Sequence, residues 1–375
     1  MSTTVFLEPR LVGARFEGGT IPLEVLKDLA VLEEMVVEVA KCEFKKDNAS
    51  RQRVPRGFAD GIDLKLTGIE DGSAKPVICL VAASTLLPGF ETGTEQYFNR
   101  AREQIVRTVA AAENDRDVTE AMSRACLSYF DRLGRSLKED EFIEFQQENQ
   151  PPARLTRQAR HRLVQASQVR EYTEEVTVRG VVPEADQADM TFEVQLATGK
   201  KVGGPMPDQH RETIIEAFNG YTDGTKIMVH GIGKYDWQDK LVSLDTIEHV
   251  TILDPRDVSA RLDEFRTLKN GWLEGIGVPP SSQGLDWLSN QFSRLYPDDL
   301  ALPYAYPLED GGVLLEWPFG QGEASLDIDV AQRTAEWHWL NTSTGEESER
   351  QFDLSREEQW GELCRLIREQ EGRTA

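Results

Sequence analysis

The sequence predicts a multidomain α+β fold: an N-terminal α+β domain over 1–150, a basic linker and helix over 151–172, a small β-barrel over 173–253 and an acidic α+β module over 254–375. Three observations lead there. The 375 residues exceed what one hydrophobic core usually organises, and at roughly 150 residues per domain they imply two or three. Strands and helices alternate in separate blocks rather than in a βαβ rhythm. Charge is uneven: residues 254–375 carry 24 acids against 11 bases, whereas residues 1–171 carry 27 against 24.

In the first block, Val25, Leu26, Leu29, Leu32, Val36, Val39 and Ala40 recur at spacings of three and four, the mark of a helix with one buried face. Strands follow at 61–69 and 74–82, with a Glu-Asp-Gly-Ser turn at 70–73 between them, and a second helix over 94–113. The stretch 147–172 reads as a linker running into a helix; it is the most basic part of the chain, with Arg154, Arg157, Arg160, Arg162 and Arg170.

Residues 173–253 give strands near 175–182, 190–196 and 200–204, a helix over 208–219, then strands at 225–232 and 241–252. That order, with a helix between the third and fourth strands, is the order of an OB barrel, an SH3-like barrel being the alternative. The last block opens with a helix over 258–270. Pro279, Pro280 and Ser281 or Ser282 then supply a turn and N-cap for a helix ending near Tyr296. Strands at 311–317, 323–330 and 335–341 and a helix over 355–369 complete an α-α-β-β-β-α module.

No apolar run approaches the ~20 residues a membrane span requires. The N-terminus has no basic region followed by an apolar stretch, so a soluble, cytoplasmic protein is expected. Cys42, Cys79, Cys126 and Cys364 are scattered without C-x-x-C spacing, which predicts reduced, packed thiols rather than disulfides or a zinc site. P-loop, G-x-G-x-x-G, G-x-S-x-G and H-E-x-x-H patterns are absent, and neither a cofactor nor a metal is expected. A net charge of -23 repels nucleic-acid backbones as a whole and favours basic partners.

Within LPYAYPLEDGGVLLEW, residues 302–317, Pro303 and Pro307 limit regular structure, and Gly311 and Gly312 permit a tight turn before the alternating Val313, Leu315 and Trp317. A turn feeding a core strand accounts for this. The functional reading places Tyr304, Tyr306, Glu316 and Trp317 on a partner-binding surface, because six of seven tryptophans fall in the acidic third, more than packing alone calls for. Trp272, Gly275, Gly277 and Pro279, followed by Tyr306, Pro307, Gly312, Glu316 and Trp317, form a pattern that resembles an uncharacterised bacterial module of toxin-antitoxin or phage-defence neighbourhoods. The module usually has a Trp-Asp-Gly-x-Gly turn where Leu273 and Glu274 follow Trp272 here. The module carries no established activity, and the resemblance assigns no catalytic residue; the acidic charge of the last third is what predicts a non-catalytic binding protein contacting a basic protein, antitoxin-like or part of phage defence given those neighbourhoods.

Two alternatives rest on other residues. In an OB-like barrel the hairpin 233–240 faces single strands, so Tyr235 and Trp237 would stack bases while Lys200, Lys201, Lys234 and Lys240, with Arg154, Arg157 and Arg160, meet phosphates. Against this stand Glu184, Asp186 and Asp189 in the 183–189 loop. A second basic segment, Lys45, Lys46, Arg51, Arg53 and Arg56, would add an anion-binding face if it met the first. A metal-dependent nuclease would use Asp63 and Lys65, a carboxylate and lysine alternating along one strand face, which an ordinary exposed strand explains equally.

Overall fold

The computed structural model describes residues 2–49, 51, 53–60, 62–70, 74–82, 95–147, 150–320, 322–342 and 344–372. It is a mixed helix and strand chain that divides into two compact units, Met1–Glu175 with Gly233–Val242, and Val176–Ile232 with Ser243–Ala375.

The first unit contains β1 (Ser2–Leu7), β2 (Arg10–Val12), α1 (Leu23–Asp47), β3 (Ile62–Glu70), β4 (Lys75–Ala82), α2 (Glu95–Glu113), α3 (Arg124–Leu127), β5 (Phe142–Gln147), β6 (Gln150–Thr156) and α4 (Arg157–Ala166). Two antiparallel sheets, ordered β1-β4-β3 and β2-β5-β6, share a core with the helices. The hairpin pairs Ile62 with Ala82 and Glu70 with Lys75; its turn at 71–73 lies outside the described residues. On α1 the buried stripe is Val25, Leu32, Met35, Val36, Val39 and Ala40, as the spacing predicts.

The stretch expected as a linker is part of this core. Ala153 and Leu155 of β6 and Ala159, Leu163 and Val164 of α4 are buried, and the Thr156 side chain caps α4 by accepting from the Ala159 amide. The two basic segments do not meet. Asp47, at the end of α1, pairs with Arg100 near the start of α2, while Arg154 bonds Glu113 at the other end, about 20 Å away along the helix. The four cysteines are free thiols, and the Sγ atoms of Cys42 and Cys126 lie 3.7 Å apart.

In the second unit, β7 (Tyr172–Asp186), whose first four residues belong to the first unit, β8 (Thr191–Leu196) and β9 (Lys201–Pro205) form a meander. It is followed by α5 (Arg211–Asn219), β10 (Lys226–Tyr235) and β11 (Leu241–Ile252). The sheet order is β11-β10-β7-β8-β9. The sheet curls into a half-barrel whose ends approach: a Cβ on Gly204 of β9 would come within 2.8 Å of Leu244 Cβ on β11, so only glycine fits there. The acidic 183–189 stretch is mostly strand, and Asp186 Oδ1 builds the turn by accepting from the amides of Ala188 and Asp189.

The same unit continues with α6 (Val258–Phe265), α7 (Ser282–Leu295), β12 (Tyr304–Pro307), β13 (Val313–Phe319), β14 (Gly322–Asp329), β15 (Thr334–Asn341), β16 (Glu347–Asp353) and α8 (Glu357–Gly372). Ser281 is the N-cap of α7, accepting from the Gly284 amide. The five strands form one antiparallel meander, two more than the sequence suggested. One face of the sheet and the three helices share a core containing Leu315, Trp317, Leu326, Trp337, Leu288, Phe292, Trp360 and Ile367. Each fully buried tryptophan removes ~150–250 Å² from water, worth about 4–6 kcal/mol as an upper bound.

Candidate functional site

Strand alternation puts every second residue of the C-terminal sheet on the face away from this core. Antiparallel register aligns them in rows across the strands: Tyr304, Glu316, Ser325, His338 and Glu349 form one, and Tyr306, Leu314, Asp327, Glu336 and Gln351 the next. A third row holds Pro318, Glu323, Leu340 and Glu347. The face thus displays six carboxylates and two exposed tyrosines, with His338 as its one titratable base and no lysine or arginine in these rows. An open depression of about 470 Å³ lies over the first and third rows. Crowding has an electrostatic signature at Asp327, whose pKa rises through partial burial and the neighbouring Glu336 and Asp310, against the opposing pull of His338.

Beside this face stands a locked turn. Leu273 and Ile276 exchange both backbone hydrogen bonds, at 2.9 and 2.8 Å, around Glu274 and Gly275, whose φ values of 49° and 92° are of the kind a type I′ hairpin turn requires. Gly277, at φ 96°, lies under the Trp272 ring, where a Cβ would come 2.9 Å from Nε1. The Val278 amide donates to Glu309 O at 2.7 Å, fixing the turn against the β12–β13 connection. The result is a rigid tip presenting Leu273, Ile276 at 60% exposure and Val278 at 55%. Three exposed aliphatic side chains held in one backbone geometry are an unusual use of apolar surface.

Of the partner-surface residues chosen from sequence, Tyr304, Tyr306 and Glu316 are exposed on this face, but Trp317 is not. Trp317 points into the core, 1% exposed, with Nε1 donating to the Tyr296 hydroxyl and to Ala301 O, both at 3.0 Å. The argument from tryptophan number is corrected with it: Trp287, Trp317, Trp337, Trp339 and Trp360 are all buried, and only Trp272 borders the surface. The apolar signal sequence reasoning missed is the Leu273–Val278 tip, marked by closely spaced glycines.

The residues assigned to nucleic acid are largely engaged elsewhere. Trp237 Nε1 donates to Val169 O at 2.9 Å, and its ring and that of Tyr235 both stack on Tyr172. Arg160 is 1% exposed and bonds the carbonyls of Phe130, Asp131 and Thr173 as well as Glu174. Arg157 pairs with Glu174, Arg154 with Glu144, and Lys201 with Glu193. Lys240 bonds Gln238. Lys234 and Lys240 lie in the first unit and Lys200 and Lys201 in the second. Asp63 and Lys65 are exposed and 3.7 Å apart, and among the described residues no three His, Cys, Asp or Glu side chains group as metal ligands. Nor is any described helix long and apolar enough to cross a membrane.

Comparison with known protein families, curated proteins and solved structures gives no match to this chain. The class that fold and site define is therefore a structural one: a two-unit mixed α/β protein with an acidic, tyrosine-bearing sheet face and an apolar tip beside it.

Proposed function

We propose that this protein is a non-catalytic binding protein that docks a basic protein partner on the outer face of its C-terminal sheet. The observation that carries the reading is the composition of the three strand rows, six carboxylates and two exposed tyrosines without a lysine or arginine, next to a preorganised apolar tip; Arg256 reaches over the Tyr304 ring, 5.8 Å from its centroid. Acidic rows steer a cationic partner and set its orientation, while Ile276 and Val278 offer exposed aliphatic surface for a partner to bury. A cytoplasmic antitoxin-like protein or phage-defence component meeting a basic toxin or effector fits this division of labour. The resemblance in the 272–317 pattern points the same way.

The half-barrel is read as an OB-like module on its strand order, β9-β8-β7-β10-β11, with α5 between the third and fourth strands. Nucleic-acid binding at its β10–β11 hairpin is the weaker reading, since the aromatic rings there are already stacked.

The test uses the full chain. Tagged wild type, Ile276→Asp with Val278→Asp, and Glu316→Lys with Glu336→Lys are recovered from the native host at low salt, and bound protein is quantified and cross-linked. One stoichiometric basic protein, cross-linked to the β12–β16 face and lost from both variants, is the expected result. Retention of that protein by both variants, or recovery of nucleic acid alone, overturns the reading.

A further inference from the structure

The first unit is nearly neutral by sequence, residues 1–171 carrying 27 acids against 24 bases, and one of its grooves is lined mainly by arginine. The C-terminal half of α2 and the strands β5 and β6 border a groove of about 540 Å³ whose charged lining among the described residues is Arg107, Arg116, Arg154 and Glu113. Glu113 is already used, its Oε2 accepting from the Arg154 amide at 2.9 Å. The Arg154 side chain is partly neutralised by Glu144 at 3.1 Å. Arg107 and Arg116 form no ion pair among the described residues; Arg107 Nε makes only a 3.3 Å contact to Glu103 O. Two guanidiniums without an acidic partner face one groove, and together they give it a local positive potential.

The rest of the lining gives the ligand its character. Asn114 Nδ2 and Gln147 Nε2 each donate to a backbone carbonyl, Ala110 O at 2.7 Å and Pro151 O at 3.0 Å, which fixes these amides with their oxygens as acceptors, and Ala110, Ala111, Pro151 and Pro152 give an apolar surface on which a flat ring can lie. An adjoining groove of about 530 Å³ shares Arg107, Gln147 and Gln150 and continues to Arg102, which donates to Phe6 O at 3.1 Å, and to Gln146, but there Glu8 and Glu103 balance the two arginines, so phosphate contact is confined to the first groove while the chain of the ligand has room to continue.

We propose that this groove binds single-stranded nucleic acid, with phosphates held by Arg107 and Arg116 and a base lying against Pro151 and Pro152. It is a different place from the barrel hairpin and does not depend on the protein-binding reading above.

The experiment measures fluorescence anisotropy of a labelled oligothymidylate with the full-length protein at about 20 mM and about 150 mM salt, with thymidine monophosphate and polyglutamate as competitors. Binding at low salt is expected, competed weakly by the monophosphate and not by polyglutamate. Arg107→Gln with Arg116→Gln, checked for an unchanged thermal transition, should lower affinity by at least about tenfold per guanidinium. It should also flatten the salt slope by roughly 1.4. Arg294→Gln, an exposed arginine of the other unit, should change nothing. Absence of binding at low salt, equal affinity in the double variant, equal competition by the monophosphate, or displacement by polyglutamate as readily as by unlabelled oligonucleotide overturns the proposal.

Discussion

Arg154, Arg157 and Arg160 read alike in sequence, yet replacing Arg160 by Met should injure the protein far more than removing either of the others. The Arg160 guanidinium bonds Phe130 O at 2.9 Å, Asp131 O at 2.6 Å, Thr173 O at 2.7 Å and Glu174 Oε1 at 3.3 Å while 1% exposed. Methionine fills the aliphatic space but removes the donor from three carbonyls, of which Asp131 O keeps the Thr173 hydroxyl at 3.3 Å. Each costs ~1–3 kcal/mol, offset where water enters, and Glu174 keeps Arg157. The net loss is about 3–5 kcal/mol, comparable to breaking other buried charged pairs. In a unit of about 185 residues this lowers the midpoint by roughly 6–20 °C, read by calorimetry. Arg157→Gln, a half-exposed pair, should cost under about 1 kcal/mol. If Arg160→Met melted within about 2 °C of wild type, the buried network would not be holding α4 to the core, and the reasoning would fail.

Two further outcomes follow from the same cores. Burial raises the Asp28 pKa above its ordinary value, against hydrogen bonds from the Ser136 amide and hydroxyl and the nearby Arg135 and Arg160. A raised folded-state pKa favours the protonated form, so this contribution is present below the unfolded value and lost as pH rises through the folded one. Asp28→Asn, which keeps an acceptor for Ser136, should therefore gain stability relative to wild type as pH rises above the ordinary aspartate value of about 4 in urea melts; a difference that stays constant with pH would contradict this. Trp317→Phe removes the donor to Tyr296 and Ala301 and should cost about 1–2 kcal/mol with partner binding unchanged. A variant that melts normally but loses its partner would return Trp317 to the surface.

The parts of the fold legible in sequence are those where local chemistry and burial agree. Ser281 caps α7, and the strand, helix and strand sequence of the half-barrel follows its apolar alternation. β16 was missed because only Phe352 of Glu347–Asp353 is buried, leaving charge without alternation, and β12 because Pro303 just before it and Pro307 at its end are tolerated only beside or on an edge strand. The candidate face was half legible: Tyr304, Tyr306 and Glu316 stand in the quoted stretch, while Asp327, Glu336 and Glu349 join them only through the register of four strand pairs. Arg107, Arg116 and Arg154 are separated by as many as 47 positions and meet only because α2 packs on β6. The basic segments seemed candidates for one surface, and α2 holds them at its opposite ends.

The β10–β11 hairpin tip, Gly233–Val242, is counted with the first unit although the strands that carry it belong to the second. The chain therefore passes between units three times, after Glu175, Ile232 and Val242. No fragment made with one cut contains a complete first unit, because a piece ending near residue 172 lacks the Tyr235 and Trp237 rings that cover Tyr172. Exchange by recombination would need three compatible junctions at once, so the two units are constrained to be inherited as a pair.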